Sequence, residues 1–595
     1  MNALLLQSAP FHIQETNQGK STVKLLPELH ANLIETAIQA AQAAGDLPEF
    51  EIPEIPIGPT KRDGQGDYAC PVAMALSKVA KKKPRDIAEA IVKHLPEAAF
   101  VADVEIAGPG FINFTLSQDW LRQQIEQIIA DGEGYFSLDL GTGRKAQVEF
   151  VSANPSGPIT IGRSRGGIIG DTMARLLEAA GFDVQREYYF NNAGMQMVML
   201  GKSLKARYLQ ALGQDVSLPE GGYQGEYLID FAKEMAEKEG DKLVDADWKP
   251  FKEFAEAKMF EWIRATLAQI GIVHDNFFNE DSLFQDGSIW NVLEELETRG
   301  YTYKASEWEG ATDEEKAKAA NLDPAIWFRT TKFGDEKDRV MVKSDGVPTY
   351  TLPDIAYHKN KIERGFDIMV NVLGADHGQQ YKVVQMGIEA LGMDPSGIHV
   401  IINQMVRAVR ENPETGELEE IKMSTRRGVY DTLDELVEMT SADAIRYHML
   451  ARSPGSHLNF NVEEVVKQSN DNPVYYIQNA HVRCCGIERE AEARGLSDEG
   501  ADINLLDDEE LAFIRKALEM GEVIEASAKL YEPHKIAFYA QELAGTFHPI
   551  YDNVRAIGEG IPEDVTRARL RFYHAARIIF KRVLDLMGMS APERM

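Results

Sequence analysis

The sequence predicts a multidomain α/β protein: a split, mostly parallel-sheet domain, with a small α+β unit before it and an all-α helix bundle after it. Three observations predict this. Residues 146–190 read as strand, helix, strand. The same alternation returns at 338–402, after a helical stretch. From about residue 460 to the end the apolar period stays near 3.6, with no strand signal. A sheet interrupted in this way is a Rossmann-type arrangement, and 595 residues with 44% hydrophobic content can fill three or four cores.

Taken in order, residues 1–24 are polar and unpatterned and read as an extension. Residues 25–120 form the α+β unit. It has a helix through Leu29–Ala44, a proline-rich link at Pro53–Pro59, a helix near Asp86–His94 and a strand at Gly110–Leu116. The central domain spans 145–450. There Ala146–Ser152 alternates and is rich in Val and Phe, a strand signal. A turn containing Asn154, Pro155, Gly157 and Pro158 follows. Ile159-Thr160-Ile161-Gly162-Arg163 then opens a helix carrying Ile169, Met173, Leu176 and Leu177 on one side and stopping at Gly181. Val184–Phe190 completes a strand–helix–strand unit. An acidic helical insertion at about 205–330 interrupts the sheet, which resumes with Asp338–Lys343 and Ile368–Leu373. Gly374-Ala375-Asp376-His377, a helix to Gly392 and the strand Ile398–Ile402 come next, and residues 460–595 make the bundle.

Charge narrows the function. With 63 basic against 94 acidic residues the net charge is −31, which excludes a sequence-independent nucleic-acid coat. A shape-specific RNA partner stays open, because such binding depends on local patches. Cys70, Cys484 and Cys485 form neither a disulfide framework nor a zinc pattern, and the adjacent pair reads as helix packing. Leu4-Leu5-Leu6 is too short for a signal-peptide core and no transmembrane run occurs, so a cytoplasmic protein without a membrane partner is expected.

The chemistry-bearing residues cluster in two places. The free N–H groups and positive dipole end of the helix opening at Thr160 suit phosphate, and Gly162 permits close approach. Arg163 adds a permanent cation whose fork matches phosphate. Lys422, Arg426 and Arg427 lie on a polar stretch after a hairpin around Asn412–Gly416 and suit a developing pyrophosphate charge. His377 follows a strand end, where α/β sheets place ligands. By residue type alone, Glu149 could equally be an exposed strand edge and Asp354 a helix cap. Arg567, Arg569, Arg571, Arg577, Lys581 and Arg582 fit a solvated helix face or contact with RNA phosphates.

Two signatures carry a family resemblance: Glu149–Arg165, EFVSANPSGPITIGRSR, and Lys422-Met423-Ser424-Thr425-Arg426 downstream. With similar sequence from about Pro53 to the last residue, the chain resembles class I arginyl-tRNA synthetases. In that family the tetrapeptide at 160–163 is His-Ile-Gly-His or a close variant; here Thr160 and Arg163 stand in for the histidines. The resemblance implies ATP-dependent attachment of L-arginine to tRNA(Arg) through an arginyl-adenylate, with Mg2+ accompanying ATP, by a monomer. The alternative is a catalytically silent tRNA-binding paralogue. The resemblance assigns Thr160, Gly162, Arg163, His377, Lys422, Met423, Ser424 and Arg426 to ATP and catalysis, and Glu149, Ser152, Asn154, Tyr350 and Asp354 to arginine. It assigns Phe111 and Asn113 to the tRNA elbow, and Tyr475, Gln478 and Met595 to the anticodon loop. No metal-binding residues are expected.

Overall fold

The computed structural model describes residues 25–60, 64–314, 322–375, 378, 380–412, 414–421 and 432–595. The N-terminal unit starts with α1 (Leu26–Ala43), whose Leu33, Ile34, Ala37, Ile38 and Ala41 recur at helical spacing and are all buried. They pack near a four-stranded antiparallel sheet in the order β1-β2-β4-β3, made of β1 (Gly58–Pro59), β2 (Tyr68–Cys70), β3 (Val101–Ala107) and β4 (Phe111–Leu116). Helices α2 (Val72–Ala80) and α3 (Pro84–Lys93) lie between β2 and β3 in sequence, and α4 (Gln118–Asp131) leads out of the unit. The sequence legibly marked α1, α3 and β4 but not β2, α2 or β3.

The central domain is organised by β5 (Lys145–Glu149), α5 (Ile161–Ala179) and β6 (Asp183–Phe190). Helices α6 (Gly194–Ala211), α7 (Tyr227–Glu239) and α8 (Lys249–Gln269) follow, then β7 (Asn276–Asn279), α9 (Asp281–Gln285), α10 (Ser288–Thr298), β8 (Thr302–Ala305), β9 (Ala325–Phe328) and β10 (Arg339–Val342). The chain continues through α11 (Thr351–Glu363), β11 (Ile368–Gly374), α12 (Gln380–Ala390), β12 (Ile398–Asn403), the hairpin β13 (Val406–Glu411) and β14 (Leu418–Glu420), α13 (Leu433–Met439), α14 (Ala442–Leu450) and β15 (Leu458–Asn461). Five strands in the order β12-β11-β5-β6-β7 make an all-parallel sheet.

Three expectations are corrected here. The first strand ends at Glu149 rather than Ser152, because Val151 and Ser152 take left-handed backbone angles, φ +69° and +42°. The strand expected over Asp338–Lys343 forms, but in a separate antiparallel sheet, β10-β9-β8. Its Met341 and Val342 bury against Phe328 and Ile355 of a second, smaller core, so alternation was satisfied without joining the parallel sheet. The insertion at 205–330 is not wholly helical, since β7 is the outer strand of the parallel sheet itself.

Helix α5 is buried on nearly every side. Successive strand residues face opposite ways. Phe150 meets α5 so closely that a Cβ on Gly170 would stand 2.3 Å from its ring, while Glu149 faces α11. The buried ion pair of Asp171 with Arg446 fixes the far side of α5. Arg446 also donates to the carbonyls of Ile270, after α8, and Met587, in the C-terminal segment, at 2.7 Å each. Burial pushes the Asp171 carboxyl up, but Arg446 and Arg175 outweigh it and hold the group below the ordinary value.

The C-terminal bundle comprises α15 (Pro473–Ala493), α16 (Asp508–Leu530), α17 (Lys535–Asn553) and α18 (Glu563–Leu586). Cys484 and Cys485 are buried in α15 as packing residues. Most of the basic cluster on α18 is spent inside the molecule. Arg571 pairs with Glu126 of α4 and with Asp498, Arg569 with Glu510, Arg577 with Glu488, and Lys581 with Glu133. Arg571 and Lys581 thereby tie the bundle to α4 and to Glu133, while the other pairs brace the bundle internally, so the face is ion-paired rather than simply solvated. No helix among the described residues is long and apolar enough to cross a membrane.

Asp171→Asn leaves the Arg446 guanidinium buried without a countercharge and is expected to lower stability by ~3 kcal/mol. Calorimetry should show an earlier transition, and an unchanged one would mean that the pair contributes nothing.

Candidate active site

In this sheet β5 and β11 are neighbours, and the chain runs outward from them on both sides. In open parallel sheets the crevice beyond the C-terminal ends of such strands is where ligands sit. A cleft of about 280 Å3 lies there, lined by Val151, Thr160, Gly162, Arg163, Gly374 and Asn403. A second cleft of about 250 Å3 lies between α5 and α18, with Arg175 and Arg582 against Glu178 and Asp585. Its charges cancel and no strand end opens into it, which leaves the first as the candidate site.

Thr160 caps α5 in an extended conformation, and its hydroxyl bonds none of the helix N–H groups. Gly162 is exposed, and a Cβ there would meet nothing within 4 Å, so the space beside the helix end is open. Arg163 is exposed and donates to the Val151 carbonyl at 3.3 Å; among the described residues no carboxylate pairs with it. Lys422, Met423, Ser424, Arg426 and His377 lie outside the described residues. The residues flanking 422–431 converge on the site nonetheless. Ile421 hydrogen-bonds Ala408 of β13, Thr432 bridges Thr160, and the Leu433 N–H donates to Ile159 O at 2.9 Å.

The loop after β5 is pinned to the end of β6. Val151 is β-branched in a left-handed conformation, a strain of roughly 1–3 kcal/mol that such sites hold only when their surroundings over-determine them. Here they do. Ser152 Oγ donates to Glu149 Oε1 at 3.1 Å and accepts from the Tyr189 N–H, the Tyr188 hydroxyl donates to Ala153 O at 2.8 Å, and Asn154 Oδ1 accepts from the Asn191 N–H at 3.0 Å.

Glu149 is buried on the central strand, not on an exposed edge. Strand register places it between Asn371 of β11 and Glu187 of β6, with Asn276 of β7 beyond. Helix α11 covers this polar row. Lys361 Nζ donates to Glu149 Oε2 and Asn371 Oδ1, both at 2.7 Å, and the Tyr357 hydroxyl donates to Glu187 at 2.6 Å. Burial raises the Glu187 carboxyl, but the Arg364 hydrogen bond, the Lys361 charge and the Tyr357 and Asn276 bonds together hold it below its ordinary value. Asp354 sits in the first turn of α11, with Tyr350 at the cap position and 80% exposed. The Tyr189 hydroxyl donates to Glu280 Oε2 at 2.6 Å, and burial, then Asp354, Glu280 and Glu149, push it well above its ordinary range.

The RNA-facing expectations divide. Phe111, at the start of β4, is 37% exposed, whereas Asn113 is 4% exposed inside the sheet, between Ala69 and Glu105. Tyr475 is half-buried on α15. Gln478 is buried and donates to Asp443 Oδ2 at 2.8 Å and to Ser590 O at 3.0 Å. With His481 meeting Pro592 O and Arg489 meeting Glu593 O, it fastens the final segment along α15 and leaves Met595 56% exposed.

Three family models match the chain in order: "Arginyl tRNA synthetase N terminal domain" over 29–116, "tRNA synthetases class I (R), catalytic domain" over 124–448, and "DALR anticodon binding domain" over 477–595. The chain is 42% identical over 574 residues to an arginine–tRNA ligase of Desulforamulus reducens, covering 95% of this chain and 98% of that one. The chain belongs to the arginyl-tRNA synthetase family. It is also 41% identical over 541 residues to an arginine–tRNA ligase of Desulfotalea psychrophila, covering 90% and 94% of the two chains. The fold matches arginyl-tRNA synthetase structures from Thermus thermophilus and Plasmodium falciparum. The TM-scores are 0.71 and 0.70 at 20% and 16% identity, each over 96% of this chain and 100% of the other.

Within this synthetase, sequence reasoning missed Lys361, Glu187 and Arg165. Arg165, two residues after Arg163 and on the opposite side of the helix, is fully buried and donates to the carbonyls of Gln404, Met449, Arg452, Ser453 and Ser456. It ties α5 to the segments entering β13 and leaving α14. Burial, and then Arg452, draw its pKa down to about 10. The available signal was its place beside the tetrapeptide in a helix with few other charges.

If Arg163 supplies the cation for the phosphates, Arg163→Ala should lower kcat for arginylation by about 10² without moving the thermal transition. Unchanged turnover would place phosphate binding elsewhere.

Proposed function

We propose that this synthetase attaches L-arginine to tRNA(Arg) in two steps at the switch-point cleft. In the first, the arginine carboxylate attacks the α-phosphate of ATP in line. A carboxylate-oxygen-to-phosphorus bond forms, the bond to the β-phosphate breaks, and pyrophosphate leaves. In the second, a hydroxyl of the terminal tRNA ribose attacks the adenylate carbonyl and AMP departs.

The observation that carries the reading is the meeting of two unlike ends. The open N-terminus of α5, with Arg163 free of any described carboxylate, lies just past the end of β5, whose last residue is Glu149, its carboxylate turned toward α11. Little covalent chemistry is asked of the protein in such a reaction; it positions the groups and stabilises charge. The α5 N–H groups and Arg163 serve the phosphates, Thr160 offers a hydroxyl, and we assign Lys422, Met423, Ser424 and Arg426 to the pyrophosphate and His377 to the adenosine. ATP enters with its Mg2+ as substrate. Glu149 and Asp354 recognise the guanidinium, which planar carboxylates match. Tyr350 forms a wall once arginine is bound, and Ser152 and Asn154 shape the loop beneath. Phe111 serves the tRNA elbow and Tyr475 and Met595 the anticodon end, while Asn113 and Gln478, buried, hold the strand and the final segment that carry them. The enzyme works as a cytoplasmic monomer.

The test is arginine charging of tRNA(Arg), with arginine-dependent pyrophosphate–ATP exchange measured with and without tRNA. Charging is expected, with exchange appearing only when tRNA is present, because RNA docking shifts the population toward the form that binds arginine productively. Tight tRNA binding with neither charging nor exchange would make the chain a silent relative.

A further inference from the structure

Lys361 is fully buried on α11, and every hydrogen of its ammonium has a destination. Two go to Glu149 Oε2 and Asn371 Oδ1 at 2.7 Å, and the cation lies 4.2 Å from the centre of the Tyr357 ring. Nothing is left to touch a substrate. Glu149, by contrast, uses one lone pair on each oxygen, toward Lys361 and Ser152, and keeps the others.

Charge explains why a lysine stands there. The row holds two carboxylates, Glu149 and Glu187, against two cations, Lys361 and Arg364. Glu187 is already answered by Arg364, Tyr357 and Asn276, so Lys361 is the partner that belongs to Glu149. A buried ion pair is weak evidence for stability, since apolar residues of similar volume commonly do as well. Its position at the last residue of the central strand, beside the cleft, points instead to recognition.

We infer that Lys361 is a positioning residue for arginine recognition, holding and charge-balancing Glu149 so that its free lone pairs face the substrate guanidinium. The inference rests on the reading that Glu149 contacts arginine. Without Lys361 the carboxylate is buried beside Glu187 with no countercharge. It then takes up a proton or turns toward Ser152, and either change weakens its hold on a cation.

Steady-state charging, with arginine, ATP and tRNA each varied separately, tests this. Lys361→Met should raise the arginine KM by roughly tenfold or more, with kcat and the ATP and tRNA KM values changed by no more than about twofold. Glu149→Gln should raise the arginine KM comparably. The double variant should be no worse than Glu149→Gln, because Lys361 acts through that one carboxylate. If Lys361→Met does not fold, the double variant, which has no unpaired charge, is compared with Glu149→Gln and decides the matter. A wild-type arginine KM in Lys361→Met overturns the inference. So does an ATP KM that rises in step, or a double variant a further tenfold or so worse than Glu149→Gln. A wild-type arginine KM in Glu149→Gln would instead overturn the underlying reading, and the inference with it.

Discussion

The buried pair of Asp171 and Arg446 sets where α5 lies, and α5 in turn presents its open N-terminus to the cleft at the strand ends. Arg446 reaches three parts of the molecule at once: Asp171 of α5, the end of α8 through Ile270 O, and the C-terminal segment through Met587 O. The adjoining Gly588 leaves no room for a side chain, since a Cβ there would fall 2.1 Å from the guanidinium. Two buried charges are costly to bring together, and the return is specificity of position. A helix surrounded on nearly every side can aim its N-terminus only if its neighbours agree on its register. Arg165 does the same work one turn from the site, using backbone carbonyls alone.

That framework bears on the tetrapeptide at 160–163. Thr160 does not cap the helix with its hydroxyl, so the hydroxyl is available to a ligand. Arg163 brings a cation that stays charged at any working pH, where an imidazole would not. Its bond to the Val151 carbonyl holds the guanidinium over the strained turn that ends β5. The strain, the open glycine and the cation are gathered in one cleft, as expected when local conformational cost is retained for a site.

Much of this was legible in the sequence. The strand–helix–strand unit at 145–190 was placed to within a few residues, because Val and Phe alternation, a Pro/Gly turn and a long apolar helix face are strong local signals. Local signals stop there. The strand at Arg339–Val342 was recognised, but alternation does not say which sheet a strand joins. Asn276–Asn279, with partly buried residues throughout, gave no period to read, yet it completes the parallel sheet. The row Asn371, Glu149, Glu187 and Asn276 comes from four strands far apart in the chain, and only parallel register aligns it. Lys361 gave no signal, and the α18 arginines fitted a solvated face or RNA phosphates equally well, because their carboxylate partners are remote in sequence.

The central claim is that one cleft holds both halves of the reaction: phosphates at the start of α5 and a guanidinium at the end of β5. A crystal structure with a non-hydrolysable arginyl-adenylate analogue tests this most directly. The account predicts the adenylate linkage beside Gly162 and Arg163, with the guanidinium turned inward to Glu149 and Asp354. A ligand whose guanidinium points to solvent, or which settles in the cleft between α5 and α18, would contradict it.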